Sequence, residues 1–388
     1  MGGKSSKKNK RNIKEEEIDT YKYLENYEEC NEEIIKKKEF ICIMPNFDFS
    51  LSKIEIVTKF NINNSDDLNT IILNDGSLAR IIDNSLTIYN KNNFKVKMNI
   101  KAKNEIYSIS QLQNNELIVI FEKFFMLYKI KKNQLYLLQK THFLHINYEE
   151  NKIIKNFDQV LELSNKSFII KLNVQELETE KNPYAEYNSP TIYINIYVYN
   201  NNSKKYIFQR FYNLANGEIS RIFDTFIMRC KTGSVYFYKD YGSKYNPYLI
   251  STQKYYPLRT IIEGKNDFYS LSNKHYVLKN KYFAYFDGAN IEMFEFDEEF
   301  MEKKIKEIKR PVMALRNCHY CYNSENPVLF YCNAQYKIAF IQYDDNFDEI
   351  KKEDNFLNIK EKIYDIKIIN NHAYILTTNY LYILKQKL

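Results

Sequence analysis

With 388 residues, 44% of them hydrophobic, the chain can bury a sizeable core, as two ordinary domains or as one large closed all-β domain. It has no apolar run of the roughly 18 residues that a membrane-spanning helix needs, and no apolar segment typical of a secretory signal. Six cysteines are too few for a secreted disulfide scaffold, so we expect a protein of the reducing cytosol.

The net charge of +7 would suit a nucleic-acid partner if it were spread over the fold, but five cations lie within the first eleven residues. The remaining chain is close to neutral, and we predict no nucleic-acid binding. The first predicted element is therefore a disordered basic tail over residues 1–13.

The tail carries the pattern of an N-myristoylation site. Gly2 becomes the first residue once Met1 is removed, and Ser6 occupies the position at which serine or threonine is favoured. A myristoyl chain alone binds membranes with an association constant of only about 10⁴ M⁻¹, and each cation near an anionic leaflet adds about 1 kcal/mol. The cations that would supply this second signal are Lys4, Lys7, Lys8, Lys10 and Arg11. A nuclear import signal and an inert tail are the alternatives.

Residues 14–38 reverse the charge and predict a short amphipathic helix or stem. Ile18, Tyr21 and Leu24 recur at near-helical spacing, with acidic residues early and lysines late, as the helix dipole favours. Such a helix either packs against the folded body or separates it from the tail.

From residue 39 onward the chain repeats a unit of four short strands. Residues 68–100 contain the β-rich runs LNTIIL, LARII, LTIYN and FKVKMNI, separated by clusters of turn-forming residues. Residues 107–140 repeat this plan, and Tyr89 and Tyr128 are predicted to close equivalent third strands. The spacing of about 40 residues is typical of propeller blades.

Later copies of the unit are recognised by their third strands, which we predict at residues 192–200, 234–240, 291–297, 338–344 and 380–386. The third unit carries a polar insertion at residues 175–190, between its second and third strands. This insertion is the largest departure from the repeat, and we predict that it binds a partner. The predicted contact residues are Glu176, Glu178, Glu180, Tyr184 and Tyr187.

The last unit has only three predicted strands, IYDIKII, HAYILTT and YLYILKQ, from Ile363 onward. A strand of matching character, KIEIVTKF at 53–60, has no meander of its own. If 53–60 pairs with 380–386, the sheets close into a ring without terminal edges. The sequence thus predicts an all-β, seven-bladed β-propeller over residues 39–388, with one blade shared between its two ends. A β-sandwich and two β domains divided around residue 213 are the alternatives.

This pattern resembles the WD-repeat β-propeller family over residues 50–388, although the chain contains no tryptophan. The residues that stand where that family often ends its third strand with Trp-Asp are Tyr89 with Asn90, Tyr238 with Asp240, and Phe296 with Asp297. The resemblance implies a propeller whose loops between second and third strands face partner proteins.

No segment carries a recognisable catalytic or nucleotide-binding motif. Cys318 and Cys321, with Cys332 nearby, are weak candidates for a zinc site, because a two-residue gap suits tetrahedral coordination. We interpret them instead as small apolar strand residues of the sixth blade, and the acidic run at 344–349 as a solvated loop. We expect no cofactor and no small-molecule substrate.

These patterns predict a non-catalytic protein-interaction scaffold, held peripherally on the cytosolic face of a membrane by a myristoyl group and the basic tail. Its expected contacts are an unidentified protein partner and an anionic membrane surface. One alternative is a soluble or nuclear subunit of a larger assembly with an unmodified tail. Another is an enzyme that uses the central mouth of the propeller, because a fold alone does not specify function.

Overall fold

The computed structural model describes residues 46–387, except for gaps at 64–68, 132–133, 144–151, 165–166, 177–190, 215–216, 223–224, 231–234, 239–258, 263–274, 279–281, 287–289, 297–301, 310–319, 333–336 and 359–360. The predicted basic tail (1–13) and the predicted helix (14–38) lie outside these residues. Within the described ranges, no helix combines the length and the apolar character that crossing a bilayer requires.

The described residues form twenty-eight strands in seven four-stranded sheets. Sheet 1 contains β2 (Thr70–Ile72), β3 (Leu78–Ile82), β4 (Ser85–Tyr89) and β5 (Val96–Lys101). Sheet 2 contains β6 (Ile106–Gln111), β7 (Glu116–Phe121), β8 (Phe124–Lys131) and β9 (Gln134–His142). Sheet 3 contains β10 (Lys152–Ser164), β11 (Ser167–Glu176), β12 (Thr191–Asn200) and β13 (Lys205–Leu214).

Sheet 4 contains β14 (Gly217–Ile222), β15 (Thr225–Cys230), β16 (Val235–Tyr238) and β17 (Arg259–Ile262). Sheet 5 contains β18 (His275–Leu278), β19 (Tyr282–Phe286), β20 (Asn290–Phe296) and β21 (Glu302–Lys309). Sheet 6 contains β22 (Tyr320–Tyr322), β23 (Val328–Cys332), β24 (Ile338–Tyr343) and β25 (Glu349–Leu357). The shared sheet contains β1 (Ile54–Asn61), β26 (Ile363–Ile369), β27 (His372–Thr377) and β28 (Tyr380–Gln386).

Short polar turns separate the strands. Two of these turns use the left-handed backbone conformation, which asparagine and aspartate tolerate. Asp83 and Asn84 join β3 to β4 with φ of 44° and 60°, and Asn370 and Asn371 join β26 to β27 with φ of 47° and 61°. Two-residue loops with both φ angles positive match the right-handed twist of the strands they connect. The predicted turn cluster DNS at 83–85 is thereby confirmed.

The shared sheet joins the two ends of the described chain. Its order is β1-β28-β27-β26, and β1 pairs antiparallel with β28 from Ile54 opposite Gln386 to Asn61 opposite Tyr380. The predicted pairing of 53–60 with 380–386 is confirmed, which excludes the β-sandwich alternative. The alternative of two β domains divided around residue 213 is not favoured, because residues 40–388 form one compact unit.

The other strand predictions are confirmed with one correction. The five later third strands are β12, β16, β20, β24 and β28. The first two residues of the predicted insertion, 175 and 176, belong to β11, and residues 177–190 lie outside the described ranges. Tyr89 closes β4 as predicted, but Tyr128 does not close β8, which continues to Lys131. The reason is the long partner strand β9, whose first residue, Gln134, still pairs with Lys131.

Neighbouring sheets pack face to face through apolar side chains. One core lies between the shared sheet and sheet 1, a second between sheets 1 and 2, and a third between sheets 2 and 3. Two more lie between sheets 5 and 6 and between sheet 6 and the shared sheet. The first strands also touch, including β10 with β14, and β14 with β18. Each sheet therefore contacts the next one along the chain.

A short segment before β1 fills the core between sheet 6 and the shared sheet. Phe47 and Phe49 are buried there, and Phe49 lies 5.1 Å from the Phe330 ring and 5.9 Å from the Phe356 ring, both in edge-on geometry. A 3-10 helix, Leu51–Lys53, then leads into β1. The repeat pattern of the sequence did not predict this segment.

Candidate protein-interaction surface

The surface with the clearest binding character lies on the outer hairpin, which we define as β8 and β9 of sheet 2. β9 stands at the end of the strand order, so β8 is its only partner in the described sheet. The other edge of β9 presents a row of backbone N–H and C=O groups, which is the template that an added strand uses.

The two faces of the outer hairpin differ in what they contact. Tyr128, Ile130 and Leu135 pack against the core shared with sheet 1. Lys129 lies directly opposite Tyr136. Because side chains alternate between the two faces of a sheet, this pair and Lys131 lie on the other face.

A β-bulge changes the course of β9 at Leu138. Leu127 pairs with Gln139 and Tyr128 pairs with Leu137, so Leu138 is the extra residue on its strand. A bulge of this kind bends the strand and re-aims its side chains. The exposed fractions of Tyr136, Leu137 and Leu138 are 45%, 53% and 42%. Leu137 lies opposite Tyr128, on the face toward sheet 1, whereas Tyr136 and Leu138 border one cavity. Singly exposed apolar side chains are ordinary, whereas such a pair at a cavity indicates an interaction site.

A surface cavity of about 750 Å³ adjoins this run, and its described lining consists of Lys129, Lys131, Tyr136 and Leu138. The sequence of the outer hairpin, residues 124–142, holds four lysines and no acidic residue. The cavity therefore combines an apolar wall with two cationic side chains, an arrangement suited to a ligand that is both apolar and acidic.

The second half of β9 is held by the neighbouring sheet. The Gln139 side chain donates from Nε2 to the Tyr206 carbonyl oxygen at 2.6 Å, and its Oε1 accepts from the Tyr206 N–H at 2.9 Å. Tyr206 lies near the start of β13, so this amide bridges the outer strands of sheets 2 and 3. Residues 134–138, in which every side chain except Leu135 is exposed, are named here the open edge.

The structure brings none of the described sequence-predicted site residues to the outer hairpin. Glu176 ends β11, Cys321 lies in β22, and Cys332 ends β23. The other predicted residues lie outside the described ranges: Gly2, Ser6, Lys4, Lys7, Lys8, Lys10, Arg11, Glu178, Glu180, Tyr184, Tyr187 and Cys318.

Cys321 behaves as the predicted strand residue of sheet 6. It packs against the core shared by sheets 5 and 6, and burial raises the pKa of its thiol to about 12. Among the residues that the structure describes, no group of three or more His, Cys, Asp or Glu side chains could hold a metal ion.

A cluster of polar side chains lies on or next to the first strands of three sheets. On β26, burial raises the pKa of Asp365 and lowers the pKa of Lys367, although each charge partly offsets the effect on the other. Lys367 Nζ donates to Asn74 Oδ1 at 3.0 Å, and the Asn74 N–H donates to Gln111 Oε1 at 2.7 Å. These contacts link the shared sheet to sheets 1 and 2, which is a structural role.

Comparisons with known proteins identify the fold. The sequence matches no known family model and no curated protein. A chain in the crystal structure of a mitotic checkpoint complex is similar with a TM-score of 0.54 at 8% identity, over 88% of this chain and 93% of that one. A virginiamycin B lyase from Staphylococcus aureus gives 0.47 at 10% identity, over 86% and 99% of the two chains.

The complex of the SREBP and SCAP binding domains from fission yeast also gives 0.47 at 10% identity, over 81% of this chain and 86% of that one. The predicted likeness to WD-repeat β-propellers is confirmed at the level of the fold. Structural similarity at identities this low shows a shared fold only. Function has to be argued from the surface of this chain.

The sequence analysis missed the outer hairpin as a site. The available signal was the run QLYLLQ at 134–139, the longest uncharged run in any described outer strand of this lysine-rich chain. That signal has meaning only once β9 is known to be an outermost strand.

Proposed function

We propose that this protein is a non-catalytic protein-interaction scaffold built on a closed, seven-bladed propeller. In this arrangement each of the seven described sheets is one blade. The pairing of β1 with β28 supports closure, and so do the apolar cores that the shared sheet forms with both sheet 6 and sheet 1. A closed ring removes the sheet edges that its two ends would otherwise expose.

The observation that carries the interaction function is the open edge. It combines exposed apolar side chains, a strand edge with no further strand partner among the described residues, and a cavity with two lysines on one outer hairpin. An uncharged, largely apolar edge is available for pairing with a partner strand. The insertion at 175–190 is a second proposed contact, because it interrupts the repeat in the adjacent sheet 3.

We further propose that the tail tethers the propeller to the cytosolic face of a membrane. The support is the sequence pattern alone: Gly2 and Ser6 at the spacing of a myristoylation site, followed by a run of cations. One acyl chain and a polybasic segment together supply the two signals that stable attachment requires.

The scaffold proposal is tested by affinity purification of the full chain from its own cells, alongside three variants. Leu137→Lys and a deletion of residues 177–190 are each expected to lose a distinct subset of co-purifying proteins. Ile350→Lys, on the outer strand β25, is the matched control, because Ile350 is similarly exposed at 52%. Identical protein sets from all four chains would overturn the scaffold proposal.

The tether is tested separately with a fluorescent protein fused to the C-terminus. Wild type is expected at a membrane, whereas Gly2→Ala, which cannot be myristoylated, is expected to be soluble. A soluble distribution for both chains would exclude the anchor and favour the alternative of a soluble assembly subunit.

A further inference from the structure

The open edge also indicates how a partner binds. We propose that it accepts an extended, acidic segment of a partner protein as an additional strand on β9. This inference rests on the proposed interaction function and adds the binding mode and the chemistry of the partner.

The backbone of β9 supplies the first requirement for strand addition. Residues 134–139 hold no charged residue and no proline, whereas the other described outer strands carry charges that deter pairing with another chain. The Gln139 amide already binds the Tyr206 backbone as a strand would, through one donor and one acceptor. That contact limits an added strand to the open edge.

The side chains supply specificity. Lys129 and Lys131 stand two residues apart on β8, about 6.6 Å along the strand, which matches two side chains at alternate positions of an extended peptide. An added strand would lie two strand spacings from β8, about 9.6 Å away. Long side chains are needed to cover that distance, so the structure favours glutamate over aspartate in the partner.

An apolar side chain is expected two residues beyond the glutamate nearest Lys129, on the same face as the glutamates, where it can contact Tyr136 and Leu138 in the cavity. Main-chain hydrogen bonds then provide affinity, and the alternate side chains provide selection. A second copy of this chain is a poor occupant, because two outer hairpins with four lysines each would repel one another.

An anionic membrane could also attract lysines beside exposed apolar residues. A flat bilayer, however, makes no use of a strand edge or of a cavity of about 750 Å³. A peptide strand uses both, and this is why we favour it over lipid.

The experiment is a selection of random dodecapeptides displayed on phage against the full-length protein. Enriched sequences are expected to carry glutamates at two alternate positions and an apolar residue at the next alternate position. The most enriched peptide, synthesised with a fluorescent label, is expected to lose at least tenfold in affinity on the double variant Lys129→Glu/Lys131→Glu and on Leu138→Lys. Ile350→Lys on β25 is expected to bind it as wild type does. Thermal unfolding of each variant checks that it is folded.

Hydrogen exchange gives an independent measure, because an added strand must slow exchange of backbone amides within residues 134–138. Enrichment of peptides without acidic residues, or binding that the outer-hairpin variants leave unchanged, would overturn the inference. Loss of binding to phosphatidylserine vesicles by the same variants, without peptide enrichment, would overturn it in favour of a lipid contact.

Failure of this inference is distinguishable from failure of the proposed function. If no acidic peptide binds but Leu137→Lys or the deletion still changes the co-purifying proteins, the scaffold stands and strand addition is wrong. If neither experiment detects a change, both are wrong.

Discussion

Two outer strands of nine residues each, β9 and β25, differ in how many charged residues they place at the outer edge of their sheet. Each ends a four-stranded sheet, and its outer edge has no strand partner among the residues that the structure describes. β25 reads EIKKEDNFL and carries five charged residues, whereas β9 reads QLYLLQKTH and carries one lysine. Charges on an outer strand discourage pairing with other chains. The comparison indicates that β25 is protected and that β9 is available.

The segment before β1 adds to the protection of β25. Lys351 Nζ donates to Asp48 Oδ1 at 3.0 Å, and Phe49 packs on Phe356 at the end of the strand. Lys352 and Asp354, two more charged residues of β25, form an ion pair at 3.2 Å. β25 is thus joined to another part of the chain, and its sequence leaves little apolar surface to share.

The largest effect is expected when the segment next to β25 loses its anchor. Phe49 is 1% exposed among aromatic rings, so Phe49→Ala leaves a cavity and is expected to lower the free energy of unfolding by about 3–5 kcal/mol. Urea denaturation measures this change. Leu51→Ala, at a position 40% exposed, is the control and is expected to change stability little. Equal, small effects would mean that the segment does not stabilise this region.

The contact between sheet 1 and the shared sheet provides the next test, away from both outer strands. Gly76 has φ of +86°, and an added Cβ would lie 2.8 Å from the Tyr374 hydroxyl oxygen. Gly76→Ala therefore combines backbone strain with a steric clash and is expected to destabilise by about 1–3 kcal/mol. Adding Tyr374→Phe should restore only part of this, because the ring carbon Cζ stays 3.0 Å away. Full recovery in the double variant would contradict the strain at Gly76.

A smaller, pH-dependent effect is expected at Asp48. Burial alone would raise the pKa of Asp48, but hydrogen bonds from Ser50, Lys351 and Lys53 outweigh it and hold the pKa well below its ordinary value. A carboxyl group whose pKa is lower in the folded state stabilises fully above its unfolded pKa, near 4, and loses that contribution as the pH falls further. Asp48→Asn should cost about 1 kcal/mol at pH 7 and progressively less below pH of about 4.

Urea denaturation of wild type and Asp48→Asn at several pH values measures this difference. A difference that grows as the pH falls would contradict the assigned direction.

The smallest change in stability is expected from placing a charge on the open edge. Leu137→Lys should alter the free energy of unfolding by less than about 0.5 kcal/mol, because Leu137 is largely exposed. It should nevertheless reduce aggregation, because a charged side chain replaces an exposed apolar one on the strand edge. Light scattering measures this, and Ile350→Lys on the charged strand β25 should have no such effect. Equal protection by both substitutions would remove the distinction between β9 and β25.

Much of the fold could be predicted from the sequence because the repeat is local. Alternating β-rich runs and turn clusters locate strands without knowledge of their partners, as with DNS at 83–85. The pairing of 53–60 with 380–386 could be predicted too. The last unit has only three strands, and the strand at 53–60 belongs to no other unit, so it can supply the fourth. The end of β8 could not be predicted from Tyr128, because it depends on the length of β9.

The candidate site was less predictable. Insertions and cysteine pairs stand out in a sequence, whereas the outer hairpin is an ordinary copy of the repeat. Its lysines and apolar residues acquire meaning from their position on the outermost strand, and the bulge at Leu138 follows from pairing with β8 rather than from residue type.

The strands and their turns could be predicted from the sequence because hydrophobic alternation and turn chemistry act over neighbouring residues, and the strand missing from the last unit predicted the pairing of the two ends. The sequence also contains the charge of the tail and the uncharged run in β9. Packing between sheets places Phe49 in a core between two sheets, Gly76 against Tyr374, and Gln139 on Tyr206, and it leaves Tyr136, Leu137 and Leu138 exposed. Those outcomes depend on how sheets distant along the chain pack together, and packing between distant surfaces leaves no local pattern in the residues that form it.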